Sequence, residues 1–254
     1  MSLSYTNLPV YVGHTYATSV SETDGYVIAT KVDVSYTTSP TPRKLLGEDI
    51  STAAAADKYK FGAPLSADIS FSCVLQKFSE EAFQWLDYPH SFVPIQIGTN
   101  IYQKCYPTDV SVSIAPYVPV TLDASFICLD PAIDQQISGD ASPYGGGSIP
   151  LNADQLIYGH TCSVENMGNV VGDVQSQINY RKNHSRSPIY TLGSVNATSM
   201  ILNSVEEEMT ITSTGLNNLI NFSGDLLSSS VKVILNQQND QHIDYLMDVS
   251  MDAG

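Results

Sequence analysis

The sequence predicts a mainly β protein made of two tandem domains, each a β-sandwich or half-barrel with one short flanking α-helix. Val, Ile, Tyr, Thr and Ser are favoured over Leu, Glu, Lys and Ala, a balance typical of pleated sheets. Residues 10–15 (VYVGHT) are matched by residues 156–161 (LIYGHT), and residues 42–47 are matched by residues 188–193 at the same separation. Two matches with one offset indicate an internal duplication.

The repeat predicts a first domain over residues 1–130, a linker over 131–152 and a second domain over 153–254. The linker contains SPYGGGSIP at residues 142–150, the most flexible composition in the chain. Its glycine run lacks the Lys-Ser/Thr of a P-loop and the spacing of a dinucleotide fingerprint, so a linker is favoured over a phosphate site.

Within the first domain, residues 67–75 alternate between apolar and polar side chains, which predicts a strand. Residues 79–86 (SEEAFQWL) predict a short helix with Ser79 as its N-cap. Residues 110–114 and 120–128 alternate on either side of a proline-bearing turn, which predicts a closing hairpin.

The second domain is predicted to repeat this order. Residues 209–213 alternate as a strand, and residues 214–222 have the apolar spacing of a short helix. A final hairpin is predicted from residues 231–235, a polar turn, and residues 243–251.

The chain carries a net charge of −15, from 26 acidic and 11 basic residues. This balance argues against gripping nucleic acid, which needs clustered Lys and Arg, but it permits a surface past which DNA slides. No apolar run approaches the roughly 20 residues that span a bilayer, and the N-terminus lacks signal-peptide features. We therefore expect a soluble, non-secreted protein without a membrane partner.

Four cysteines, Cys73, Cys105, Cys128 and Cys162, have no Cys-x-x-Cys spacing. We expect buried reduced thiols, and leave open a disulfide formed after cell lysis.

Catalytic and metal-binding motifs are absent from the sequence, including His-Glu-x-x-His, Gly-x-Ser-x-Gly and the EF-hand loop. His14 and His160 occupy equivalent repeat positions, so both are expected to pack or hydrogen-bond at strand ends. His90, His184 and His242 lie in polar segments predicted to be loops. We predict that the protein is not an enzyme and has no catalytic residue, metal or cofactor.

Two acidic features stand out. Residues 206–208 (EEE) are predicted to form a solvated loop or strand end. Asp244, Asp248 and Asp252, preceded by Asp240, recur every fourth residue, so a strand places all of them on one face. That stripe fits either an ordinary solvent face or a lining that repels DNA phosphate.

A long irregular stretch over residues 47–64 is predicted to be a contact loop. Its charged residues are Glu48, Asp49, Asp57, Lys58 and Lys60.

This layout resembles the tail-tube proteins of long-tailed bacteriophages and related injection machines. The resemblance lies in the β domain with one helix, the long loop between early strands, and an acidic chain without active-site motifs. Residues 39–47 (SPTPRKLLG) and 185–193 (SRSPIYTLG) are similar to stretches of phage virion structural proteins.

In that family six tube domains form a ring, their inner sheets join into one barrel, and DNA passes through a negatively charged lumen. The resemblance implies stacking homotrimeric rings of pseudo-sixfold symmetry, with Asp244, Asp248 and Asp252 facing the lumen and the 47–64 loop between rings. It implies further contacts with a baseplate hub, a terminator and a possible sheath. The protein would reside in the virion tail after assembly in the host cytoplasm.

Two alternatives remain open. A baseplate hub, tube initiator or neck protein of a phage tail would use the same domain. A tandem carbohydrate-binding or adhesin-like module would instead stack tyrosines on sugar rings. The tyrosines considered for that role are Tyr11, Tyr36, Tyr144, Tyr158 and Tyr180.

Overall fold

A computed structural model describes residues 2–5, 8–13, 26–37, 41–42, 60–61, 66–75, 85–86, 90–98, 100–131, 156–166, 169–171, 176–192, 197–213, 230–236, 242–243 and 249–250. These residues are mainly strand, which confirms the mainly β prediction. The predicted helix at 214–222, the predicted helix at 79–86 apart from its last two residues, and the linker beyond Pro131 lie outside them.

Nine strands come from the first half of the chain: β1 (Ser2–Tyr5), β2 (Leu8–Val12), β3 (Tyr26–Thr37), β4 (Thr41–Pro42), β5 (Lys60–Phe61), β6 (Ser66–Val74), β7 (Val93–Ile97), β8 (Asn100–Ile114) and β9 (Thr121–Pro131). The second half contributes β10 (Ser163–Asn166), β11 (Asn169–Val171), β12 (Ser176–Ile189), β13 (Ser199–Ser213), β14 (Ser230–Asn236), β15 (His242–Ile243) and β16 (Val249–Ser250).

Six strands of the first half close into an antiparallel barrel in the order β8-β7-β2-β3-β6-β9, with β9 pairing back onto β8. The first half is therefore a closed barrel, where the sequence predicted a sandwich or half-barrel. The barrel closes because β8 is long enough to pair with β7 along its first part and with β9 along nearly all of its length. Large buried side chains fill the interior, among them Tyr102, Phe71, Phe126, Ile69 and Leu75.

Side-chain alternation explains these strands. In β6, Ile69, Phe71 and Cys73 point into the barrel, while the residues between them are half-buried or exposed. The predicted strand at residues 67–75 and the predicted hairpin around the turn at 115–117 are both confirmed. In that turn Tyr117 adopts a left-handed backbone conformation, with φ at 62°.

The hairpin of β12 and β13 extends the barrel's sheet into the second half. Along β12, residues 178–183 pair with residues 114–109 of β8, and β13 then pairs with β12 from end to end. Six strands thus follow one another in the order β3-β6-β9-β8-β12-β13. Beyond Asn183 the hairpin continues past its junction with β8, toward exposed Tyr190 and Leu192.

The remaining second-half strands form a five-stranded sheet, in which β14 pairs with β10, β15 and β16, and β10 pairs with β11. Strand β16 also lies beside β13. The predicted strands at residues 209–213 and 231–235 are confirmed as parts of β13 and β14. The described residues of this half do not close into a second barrel.

The second Gly-His-Thr segment sits on the end of the barrel. Ile157 is fully buried, and its backbone N–H donates a hydrogen bond to the carbonyl of Leu75. The carbonyl of Ile157 accepts a hydrogen bond from the backbone N–H of Val120. At Gly159 a Cβ atom would lie 2.0 Å from the carbonyl oxygen of Ala115, so only glycine permits this approach. Packing therefore accounts for the glycine of the repeated motif in the second half.

Candidate functional site

The sheet β3-β6-β9-β8-β12-β13 has one face packed on the core and one open face, which we name the polar face. Alternation puts the apolar residues of each strand on the core side and leaves small polar and charged residues on the other. The polar face comprises Lys31, Asp33, Ser35, Asp68, Ser70, Ser72, Asp109, Ser111, Ser113, Thr121, Asp123, Ser125, Asn179, Arg181, Asn183, Glu206, Glu208 and Thr210.

Strand register lines these residues up in rows that cross all six strands. One row is Asp33, Ser70, Ser125, Asp109, Asn183 and Glu206. The next is Lys31, Ser72, Asp123, Ser111, Arg181 and Glu208. At a strand spacing of about 4.8 Å each row is about 24 Å wide. The polar face is therefore continuous from the first half of the chain into the second.

Among the described residues of the polar face, hydrogen bonds and one ion pair run between strands, and a second ion pair runs along β3. Arg181 donates from Nε to Oδ1 of Asp109 at 3.0 Å, and this hydrogen bond raises the pKa of Arg181. The Lys31 ammonium lies 2.5 Å from Oδ2 of Asp33. Among the described residues of the face, these are the two basic side chains, and each is held by an aspartate. Carboxylates and hydroxyls consequently dominate the surface.

The composition of the polar face restricts what it can bind. Acidic groups in excess create a negative potential that repels phosphate, and hydroxyls keep the face hydrated. Among the described residues, no three His, Cys, Asp or Glu side chains are grouped to hold a metal ion.

Most of the charged residues singled out from the sequence lie outside the described ranges. This holds for Asp244, Asp248 and Asp252, and for Glu48, Asp49, Asp57 and Lys58. Lys60 lies in β5 and pairs with Pro42 of β4. The lumen stripe and the inter-ring loop stay predictions, and the polar face is a separate acidic surface that was not predicted.

His184 was wrongly predicted to lie in a loop. It lies in β12 with 2% of its surface exposed, and neither ring nitrogen has a hydrogen-bond partner within the described part of the chain. Burial, followed by the charges of Arg186 and Lys182, lowers its pKa to about 4. His184 is therefore a neutral, buried imidazole at neutral pH.

Arg186 lies two residues further along β12. It donates from Nε to the carbonyl of Pro107 at 2.6 Å, and its guanidinium carbon lies 5.4 Å from the ring centroid of Tyr106. These contacts anchor the hairpin to β8 beyond the last residue pair of their ladder.

The prediction for the three consecutive glutamates, residues 206–208, was also wrong. They lie inside β13 rather than in a loop or at a strand end. Glu206 and Glu208 belong to the polar face. Glu207 points the other way, and its Oε1 lies 2.5 Å from Nζ of Lys182. Three acids in a row hide the alternation that would otherwise have revealed a strand.

Strand β12 itself was missed over most of its length. Apolar alternation stops at Tyr180, because the next core-side positions are occupied by Lys182, His184 and Arg186. The available signal was the Ser and Asp residues that alternate with apolar residues in β6, β8 and β9. These residues identify the solvent-facing side of each strand, but they do not show which strands are neighbours.

The cysteines and tyrosines also have defined places. All four cysteines are free, and Cys73, Cys105 and Cys128 are buried, as expected.

Tyr11 and Tyr180 are buried, and the hydroxyl of Tyr36 hydrogen-bonds that of Tyr102 at 2.9 Å. These tyrosines are packed in the fold, whereas Tyr144 lies outside the described residues.

An exposed aromatic cluster lies at the barrel end. The ring of His160 stacks on Tyr117 at 5.8 Å between centroids and lies 5.6 Å from Tyr158. Tyr117 is 73% exposed. His160 was expected to pack or hydrogen-bond at a strand end, but it is exposed in a 3-10 turn at Gly159–Thr161, and His14 lies outside the described residues.

Comparisons with known proteins add no assignment. No protein-family model matches the chain, and no curated protein matches it. Within the described ranges, no helix has the length and apolar character needed to cross a membrane. The case for a function therefore rests on the polar face and on how its strands are joined.

Proposed function

We propose that this chain is a structural virion protein that forms the tail tube of a bacteriophage, a hollow conduit for DNA delivery. The observation that carries the proposal is the polar face, an acidic and hydroxyl-rich surface on one sheet that runs through both halves of the chain. In the proposed assembly three chains form a pseudo-hexameric ring and the rings stack.

Strand pairing supports a repeated unit. Strands β3 and β6 pair Val34 with Ile69 and Tyr36 with Ala67, and β12 and β13 pair Ile178 with Ile211 and Tyr180 with Met209. Residues 34–36 (VSY) match residues 178–180 (INY) with a two-residue slip from the separation of the other two sequence matches, so β12 and β13 correspond to β3 and β6. Strands β14 and β16 form an antiparallel pair as β8 and β9 do, and β16 contacts β13, whereas β9 forms a ladder with β6.

On this correspondence the β8–β12 ladder is a junction between neighbouring units. Repeating that junction around a threefold axis would bring six units into one closed sheet. The polar faces would then line a common channel.

The chemistry of the polar face suits a channel for DNA. Phosphate contacts require available Lys or Arg side chains, whereas Lys31 and Arg181 are each held by an aspartate of the same face. DNA would be repelled evenly and would pass without adhering. The partners are other copies, tail proteins such as the hub and terminator, and DNA in transit, and no enzymatic step is involved.

The aromatic cluster of Tyr117, Tyr158 and His160 favours a second candidate, a carbohydrate-binding module. Exposed stacked rings can pack on a sugar face. The observation that favours this candidate is that these three rings lie together in the structure. Tyr11 and Tyr180, by contrast, are buried and not available to a sugar. Saturable binding to immobilised glycans that is lost in Tyr117→Ala would support this candidate.

Negative-stain microscopy of the purified chain across a concentration series tests the tail-tube proposal. We expect hollow tubes built from threefold rings. Closed trimers that never stack would favour a hub or tube initiator, and monomers at every concentration would count against the tube.

Cysteine labelling of assembled tubes tests which face lines the channel. A Cys162→Ser background removes the half-buried native thiol, and Ser111→Cys then places a thiol on the polar face. Leu192→Cys, at the exposed end of the hairpin, is the matched control.

We expect a small maleimide to label both thiols in tubes. A maleimide coupled to a protein too large for the channel should label only the Leu192→Cys variant. Equal labelling of both variants by the large reagent would place the polar face on the outside.

A further inference from the structure

The β8–β12 ladder shows how one unit of this chain joins the next. Residues 109–114 of β8 pair with residues 183–178 of β12, antiparallel and in register. By the correspondence above, β8 is equivalent to β14 and β12 is equivalent to β3. Two equivalent edges therefore remain to be joined in a ring, one on β3 and one on β14.

Strand β1 occupies the edge of β3. Its four residues pair antiparallel with residues 35–32, from Ser2 opposite Ser35 to Tyr5 opposite Val32. Residues 34 and 35 correspond to residues 178 and 179, which are among the β12 residues that pair with β8. Strand β1 thus lies where an incoming β14 from a neighbouring unit would pair.

Strand β10 covers the other edge in the same manner. Its residues 163–166 pair with residues 234–231 of β14, on a strand whose other partners are β15 and β16. Both edges that a ring needs are therefore covered by four-residue strands of the same chain. Covering an open edge with a short strand prevents uncontrolled pairing between molecules.

The barrel does not depend on β1. Its closing contact on β3 is made by β2, which pairs with residues 26–29, and β1 continues along the same edge beyond it. Strand β1 pairs with β3 and with no other described strand. Its departure would leave every ladder of the six-stranded barrel in place.

We propose that β1 is a displaceable cap on the assembly edge of β3, and that β14 of a second copy, released from its own cap β10, takes its place in the ring. This inference rests on the proposed tube function. A seven-residue strand would replace a four-residue strand on the same backbone groups. The cap keeps the free chain monomeric and gives way when a neighbouring unit supplies the longer strand.

Deletion of residues 2–5 is the first test. We expect the concentration at which tubes appear to fall about tenfold or more, because an edge that is open in a minor fraction of molecules weakens apparent association by that fraction. Thermal unfolding followed by near-ultraviolet circular dichroism should show that the barrel remains folded. An unchanged threshold in a folded deletion variant would overturn the cap.

A reversible lock is the second test, in the Cys162→Ser background. Ser2→Cys with Ser35→Cys, and Leu3→Cys with Val34→Cys, crosslink two adjacent residue pairs of the β1–β3 ladder. Adjacent antiparallel pairs alternate between wide and narrow spacing, so one of the two designs has the shorter spacing that suits a disulfide. The single variant Ser35→Cys is the control.

We expect the fully oxidised lock to stay monomeric at concentrations where the control forms tubes, and a reductant to restore assembly. Tubes formed by the fully crosslinked chain would overturn the cap while leaving the tube function intact. If wild type, the deletion variant and the reduced lock all remain monomeric, the tube proposal itself fails, and the cap fails with it.

Discussion

Acid is expected to destabilise the protein through the buried imidazole of His184. Its pKa in the folded protein is about 4, below the ordinary value of 6.5, so the unfolded chain binds a proton at higher pH than the folded chain does. Stability that depends on a neutral His184 is thus fully present above about pH 6.5 and is lost as pH falls toward 4.

The size of the effect follows from the two pKa values. Once both states are protonated, the difference between 6.5 and about 4 corresponds to about 3 kcal/mol, and at pH 5 it corresponds to about 2 kcal/mol. Screening by water near the strand edge lowers this value, so we expect a loss of about 1 to 2 kcal/mol between pH 7 and pH 5.

Urea unfolding at pH 7 and pH 5 measures this loss. His184→Met has a similar volume, has no titratable nitrogen and can adapt to the same space. His160→Gln removes an exposed imidazole and serves as the control. Between pH 7 and pH 5, the free energy of unfolding of wild type and control should fall by about 1 to 2 kcal/mol more than that of His184→Met. The carboxylates titrate alike in all three proteins, so the difference reports on His184. Equal pH dependence in all three proteins would refute the assignment of His184 as a buried neutral group.

Three further predictions concern the fold. Gly159→Ala forces a Cβ against the carbonyl of Ala115 and should lower the free energy of unfolding by about 3 kcal/mol or more. As a control, Gly98→Ala meets open space at a positive φ and should lower it by about 1 kcal/mol. Equal losses of the two variants in urea unfolding would contradict this prediction. Ile157→Ala should cost about 2 to 4 kcal/mol by leaving a cavity, and a loss below 1 kcal/mol would show that Ile157 is not core. Arg181→Gln removes an exposed ion pair and should leave the thermal midpoint unchanged, so a large shift would contradict the exposed pairing.

The sequence predicted the strands in which apolar and polar residues alternate without interruption. Strands β6 and β9 are of this kind, and so is the last part of β8. It did not predict closure of the barrel, because closure depends on which strands pair over a long chain separation. Alternation determines the face on which a side chain lies, but does not choose the neighbouring strand.

The polar face shows the same division. The solvent-facing side of each strand was visible as alternating Ser, Thr and Asp, but the predicted acidic surface was the row of repeated aspartates at residues 244–252. The rows form only through strand register, as where Asp109 of the first half meets Asn183 of the second. Lys182 and His184 on the core side of β12 broke the apolar pattern that would have extended the predicted sheet.

The two halves of the chain meet through a backbone ladder between β8 and β12, and this has an evolutionary consequence. The backbone hydrogen bonds of this ladder do not depend on which small polar side chains the strands carry. Substitutions on the polar face can therefore accumulate without separating the two halves. Selection would act on strand length, register and overall sign of charge more than on residue identity. Distant relatives should therefore share the pairing scheme of this sheet while retaining few identical residues along it.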